Sequence, residues 1–127
     1  MMLIPDNLKY TSEHEWVELL GENRIRVGIT DYAQDALGDV VFVQLPKLDS
    51  QLTNHALMAE VESTKSVAEV YAPAPGTVSE VNQELSTRPE LINHEPYGAG
   101  WFCVLTVEDG AALDGLLDPE AYRSLTE

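Results

Sequence analysis

Cysteine is nearly missing from this chain of 127 residues, with Cys103 the single example. One thiol cannot close an internal disulfide, so no covalent framework holds the fold, and a reducing compartment suits it. Cys103 lies in the strand-like run Trp101-Phe102-Cys103-Val104-Leu105 and reads as a small core residue, not a nucleophile. Basic residues are also scarce. Seven Lys and Arg stand against 22 Asp and Glu, a net charge of −15, so nucleic acid and anionic membrane are poor partners. No apolar run approaches bilayer-spanning length, and Met1 to Asp6 has no basic stretch leading into an apolar one. A cytoplasmic protein is expected.

Recognisable catalytic groupings are missing too. His14, His55 and His94 are scattered, and none belongs to a nucleophile–base arrangement. His14-Glu15-Trp16-Val17-Glu18 begins like a zinc-binding helix motif, but it ends in glutamate within a strand-like stretch. His55 has no second ligand at a useful spacing. Gly98-Ala99-Gly100 precedes a strand and opens no helix, so it is a poor phosphate cradle. The expectation is a protein that is not an enzyme, with no catalytic residue and no metal site.

What is present is ordinary globular material, 44% hydrophobic and 23% charged. It has room for one modest core, so residues 1–127 read as a single domain. Period-two patterns predict short strands over 16–19, 24–29, 40–45, 57–62, 66–71, 77–81 and 101–107, punctuated by Gly21, Pro46, Pro73 to Gly76 and Gly98 to Gly100. That many strands in a short chain imply a small sandwich or barrel with its edges mostly closed. Helices are brief. Asp31 to Gln34 has the spacing of a capping box, with Gly38 placed to stop the turn that follows. Asp118 can cap a helix with Pro119 in its first turn, running to about Leu125, and Ala111 to Leu117 suggests another helical turn.

Lys65 stands between two of these strands. Leu57, Ala59 and Val61 alternate with Met58, Glu60 and Glu62 before it; Val67, Glu69 and Tyr71 alternate with Ser66, Ala68 and Val70 after it. A hairpin with Lys65 at its tip follows. A lone lysine there is ordinarily a solvated surface residue, but a primary amine so placed is also accessible to an acylating enzyme.

The surrounding residues make the distinction. Glu62-Ser63-Thr64-Lys65-Ser66-Val67, followed by Tyr71-Ala72-Pro73 and Gly76, resembles the lipoylation hairpin of the glycine cleavage system H protein family. Tyr10-Thr11-Ser12-Glu13-His14-Glu15-Trp16-Val17 is similar to that family's opening signature. The blocks Val27 to Gln34, Leu37 to Val43 and Asn93 to Trp101 resemble later ones, in order and over nearly all of the chain. Lipoyl domains of 2-oxoacid dehydrogenases and biotin carriers share such a hairpin but not these flanking blocks.

The resemblance implies a mainly β fold: a flattened barrel-sandwich hybrid of the lipoyl/biotinyl-carrier kind, quasi-twofold about the hairpin. It would have two small antiparallel sheets, short helices and a C-terminal helix. It also implies lipoate joined covalently to Lys65 by a lipoate ligase or lipoyl transferase. A PLP-dependent glycine decarboxylase then loads an aminomethyl group on the arm. A tetrahydrofolate-dependent aminomethyltransferase removes it, and an FAD-containing dihydrolipoyl dehydrogenase reoxidises the dithiol. A monomer is expected. Glu15 and Glu69 correspond to positions lining the cleft that shelters the cationic intermediate, with Glu13 nearby, while Glu62 and Ser63 correspond to the stretch the lipoylating enzyme recognises.

The chain departs from the family at three places. Glu69 stands where many relatives have aspartate, Ala36 where some have histidine, and His55 where a turn usually has glycine. His is among the residues that tolerate the positive φ such a turn needs. Two other readings stay open: an H-like protein serving mainly as a lipoyl relay to other enzymes, and an unmodified interaction module with the same fold.

Overall fold

The computed structural model describes residues 3–108 and 113–126. Short β segments dominate, because apolar residues recur every second position between turn residues. In chain order they are β1 (Lys9–Tyr10), β2 (Glu15–Gly21), β3 (Arg24–Ile29), β4 (Val40–Gln44), β5 (Gln51–Leu52), β6 (Leu57–Ser63), β7 (Val67–Tyr71), β8 (Gly76–Val81) and β9 (Cys103–Thr106). The seven predicted strands are all there, with ends shifted by a residue or two. The two-residue β1 and β5 carry too little alternation to be read from sequence.

Among the described residues four helices accompany them: α1 (Asp31–Leu37), α2 (Glu84–Thr87), α3 (Leu91–His94) and α4 (Pro119–Thr126). The cap of α1 lies one residue earlier than expected. Thr30, not Asp31, has the extended cap conformation and accepts the Ala33 N–H, while Gln34 Nε2 donates to Asp31 Oδ1 (2.8 Å). Gly38 ends that helix at φ 84°. Asp118 caps α4 as predicted, its Oδ1 accepting the Ala121 N–H at 2.8 Å. Part of the predicted turn over 111–117 lies outside the described residues; within the rest, Leu116 N donates to Leu113 O (3.2 Å). The four-residue α2 and α3 escaped the sequence reading, since one turn of helix leaves no periodicity.

The strands form two antiparallel sheets, one in the order β1-β2-β3-β9-β8-β5 and one in the order β4-β6-β7. Neither closes, contrary to the expected closure; edges are managed by shortness and by cover instead. Tyr10 in β1 exchanges two backbone hydrogen bonds with Leu117, at 2.8 and 2.7 Å. Buried side chains of both sheets, including Val17, Ile25 and Val27 from one and Val61 and Val70 from the other, form one continuous cluster. Each such side chain contributes about 1.5–3 kcal/mol. Cys103 is fully buried in this cluster, its S–H facing Met58 Sδ at 3.6 Å, and burial pushes its thiol up to about 12.

Under α4 a second cluster gathers Leu8, Tyr10, Trp16 and Tyr122. Trp16 lies flat on β3 because Gly28 has no side chain: a Cβ there would sit 2.6 Å from the indole ring. Gly28→Ala is therefore expected to overpack this cluster and cost about 1–3 kcal/mol. Urea unfolding that gives the variant wild-type stability would show that the ring moves aside freely.

Candidate functional site

The β6–β7 hairpin is built around Ser63. Its hydroxyl donates to Ser66 O (3.1 Å) and accepts the N–H groups of Lys65 (3.2 Å) and Ser66 (3.0 Å). Its own N–H reaches Ser66 O at 2.8 Å. Ser63 is thus only 7% exposed and shapes the loop from inside. Thr64 N donates to Asp39 O (3.0 Å), which tethers the tip to the junction between α1 and β4. Lys65 is exposed, and its stem lies across that junction. A Cβ on Gly38 would come 3.1 Å from Lys65 Cε, so the glycine serves both the positive φ and the passage of the lysine.

Asn93 secures the same junction from α3. Its Oδ1 accepts the Val40 N–H (2.8 Å), and its Nδ2 donates to Gly38 O (2.9 Å) and Gln34 Oε1 (3.0 Å). Nothing in the sequence pattern announces this role, because its partners lie more than fifty positions away.

Beside the hairpin opens a cleft of about 280 Å³ between α1, β7 and the start of β2. Ile29, Leu37 and Val70 supply apolar wall; Glu13, Glu15 and Glu69 supply carboxylates. The cleft begins one residue from Lys65 on one side, at Ser66, and on the other at Leu37, next to the Gly38 against which the amine end of the stem lies. The sequence-predicted Lys65, Glu15 and Glu69 therefore come together, while Glu62 faces solvent on the outer side of the hairpin.

The three cleft glutamates differ. Glu15 is 3% exposed; its Oε1 accepts from Thr11 Oγ1 (2.6 Å) and its Oε2 from the Tyr71 N–H (3.2 Å) on the β7 edge. Burial pushes its carboxyl pKa up, and those two hydrogen bonds partly oppose the shift. Glu69 is exposed and accepts from the Tyr71 hydroxyl at 3.3 Å. Glu13 pairs through Oε1 with His55 Nε2 (2.7 Å), both side chains being well exposed. His55 has the positive φ expected of it, 67°, and stacks on Tyr71 with centroids 4.9 Å apart. Among the described residues no group of His, Cys, Asp and Glu is arranged to hold a metal ion.

His14 is the cleft residue that sequence reasoning missed. It sits at φ 72°, which turns its ring into the cleft against Tyr32, at 4.6 Å between centroids. Its Nδ1 is hydrogen-bonded to the Tyr122 hydroxyl (2.8 Å), which also bonds Thr30 Oγ1 (2.7 Å) at the N-cap of α1. Burial pushes the imidazole pKa down, so it is neutral at pH 7. An imidazole thus enters the cleft from the turn before β2, although Ala36 on α1 has none to offer.

The chain is similar to proteins already known. The family profile described as Glycine cleavage H-protein matches residues 8–127. The chain belongs to the glycine cleavage H-protein family. The glycine cleavage system H protein of Mycobacterium avium is 57% identical over 129 aligned positions, covering 98% of each chain. That of Micrococcus luteus is 52% identical over 127, covering 99% of each. A crystal structure of a glycine cleavage system H protein from Mycobacterium marinum superimposes with a TM-score of 0.90 at 38% identity, covering 97% of this chain and 98% of that one. The two antiparallel sheets, short helices and C-terminal helix are those of that fold. The family is one of carrier proteins of glycine cleavage, and membership implies lipoate as the group borne. The residues suit such a group: an exposed amine laid over a glycine, beside a cleft with an apolar wall and buried and exposed carboxylates.

Proposed function

We propose that this protein is a lipoyl carrier modified at Lys65 that serves glycine decarboxylase, the aminomethyltransferase and dihydrolipoyl dehydrogenase in turn, as one monomeric domain. The observation that supports this most is the exposed Lys65, laid over Gly38 at the rim of a carboxylate-lined cleft. Bound at Lys65, lipoate supplies a disulfide at the end of a long arm, which can take up the aminomethyl group and two electrons.

The chain's own residues do the rest. The unprotonated Lys65 amine attacks the acyl carbon of an activated lipoyl donor; an amide bond forms, the donor's acyl bond breaks, and the amine loses a proton. That removes one positive charge and takes the net from −15 to −16. Ser63 holds the loop that presents the amine, and Glu62 on its exposed side offers the attaching enzyme a charge to recognise. Glu15, with Glu69 at the rim, favours the protonated form of an amine brought into the cleft. His14, being neutral, adds no competing positive charge there. Tethering raises the effective concentration of the arm at each docked active site.

The test is isotope exchange. The protein alone should not turn over glycine. Its lipoylated form should let glycine decarboxylase exchange label between bicarbonate and the glycine carboxyl group. Equal exchange supported by Lys65→Ala would refute the tethered-arm reading.

A further inference from the structure

The bulge in β4 does something the core does not require. Regular alternation from Val40 would send Phe42 inward. The register shift between Val40 and Phe42 instead buries Val40 and Val43 and leaves Val41 and Phe42 49% and 55% exposed. Bulges near functional sites commonly re-aim a side chain in this way. Across the sheet, Glu62 pairs with Phe42 on one side and with Val67 on the other, and Val67 is 60% exposed. Neighbouring strands lie about 4.8 Å apart, so two apolar side chains flank one carboxylate. Lys65 follows Glu62 by three positions, and its stem rests on Gly38, two residues before the bulge. The row and the amine share one end of the hairpin.

We propose that Phe42 and Val67, with Glu62 between them, form the docking row for the enzyme that acylates Lys65, a partner presenting a basic side chain between two apolar recesses. This rests on the reading of Lys65 as the attachment site. Reach selects the occupant. A bare lysine offers only a four-carbon stem, so an acylating enzyme must bring its active site onto the hairpin itself and cover this row. Enzymes that work at the far end of a lipoyl arm are under no such constraint. Charge selects its chemistry: Glu60 and Glu69 pair in the next row, Asp39 is exposed at the bulge, and the chain carries −15 overall. A basic, apolar-pocketed surface complements that pattern, and a buried aromatic anchor is the usual centre of such an interface.

Phe42→Ser and Phe42→Leu, each with and without Lys65→Arg, separate the possibilities, with a bacterial lipoate ligase, lipoate and ATP as the probe. In the Lys65→Arg background no acylation intervenes, so calorimetry reads docking alone. Phe42→Ser is expected to weaken ligase binding by tenfold or more and to lower kcat/KM for lipoylation through KM, whereas Phe42→Leu keeps most of both. Once forced to full lipoylation, Phe42→Ser should lose less with glycine decarboxylase than with the ligase. Unchanged ligase affinity in Phe42→Ser, or a larger loss with the decarboxylase, overturns the docking row while leaving Lys65 as the attachment site. A wild-type protein that accepts no lipoate would overturn both. Because Phe42 and Val67 are exposed, a misfolding variant would be unexpected; Val67→Thr repeats the test on the other flank of Glu62.

Discussion

Lys65→Arg is expected to abolish lipoylation outright. Guanidinium stays protonated at any pH a protein tolerates, and it has no free lone pair on a compact nitrogen with which to attack an acyl donor. The variant keeps the positive charge and the long stem over Gly38, so fold and net charge should match the wild type. Intact mass after co-expression with a lipoylating enzyme and lipoate should rise by one lipoyl amide for the wild type and not at all for Lys65→Arg. Peptide mapping should place the group on Lys65. Label found on Lys9 or Lys47, or biotin in place of lipoate, would overturn the assignment.

Glu15→Gln should separate function from stability. Glu15 is buried, and its folded pKa lies above the ordinary 4.5 because desolvation outweighs its two hydrogen bonds. For an acid shifted upward, the stabilising contribution is complete below that ordinary value and is lost as pH rises through the folded pKa. At neutral pH the ionised carboxylate therefore costs stability. Glutamine keeps the shape and does not titrate: its oxygen can accept the Tyr71 N–H and its amide can donate to Thr11 Oγ1. Urea unfolding from pH 4.5 to 7.5 should show the variant gaining on the wild type as pH rises. A parallel pair of curves would mean that Glu15 is not desolvated.

The function should move the other way. A charged hydrogen bond is worth about 1.5–3 kcal/mol, so removing the carboxylate should loosen a protonated amine in the cleft by roughly tenfold or more. Ammonia release from the charged carrier, measured without the transferase, should speed up accordingly, while lipoylation of Lys65 is unaffected. Equal lifetimes for wild type and variant would remove Glu15 from the site. Together, higher stability and shorter lifetime would mark Glu15 as a residue retained at a stability cost for its charge.

Much of this molecule is legible in the order of its residues. Alternation is local, so the seven longer strands can be read from sequence, and so can the hairpin carrying Lys65, since a short polar link between alternating segments folds back on itself. Asp118 before Pro119 and Gly38 after Leu37 are likewise local devices, each acting on backbone groups within a turn. The α1 cap falls one residue before the one its spacing predicts, because Thr30, Asp31 and Gln34 offer two overlapping local patterns. Burial of Thr30 against Tyr122 chooses between them.

Tertiary structure alone decided the rest, and the reason is sequence distance. Glu15 and Glu69 look like equivalent acidic residues in a list, yet one is buried on the β7 edge and the other faces solvent, because the Tyr71 N–H and Thr11 happen to converge on the first. His14 becomes a cleft residue through a hydroxyl contributed 108 positions later. Asn93 braces the seat of Lys65 from 55 positions after Gly38. The run Val40 to Val43 is apolar throughout, so β4's own residues do not say which of them face outward; pairing with β6 sets the register, and the bulge it contains exposes Phe42. Local chemistry determined the elements and the modified lysine; which carboxylate is desolvated, which histidine enters the cleft and which apolar side chain faces outward were settled by packing between distant parts of the chain.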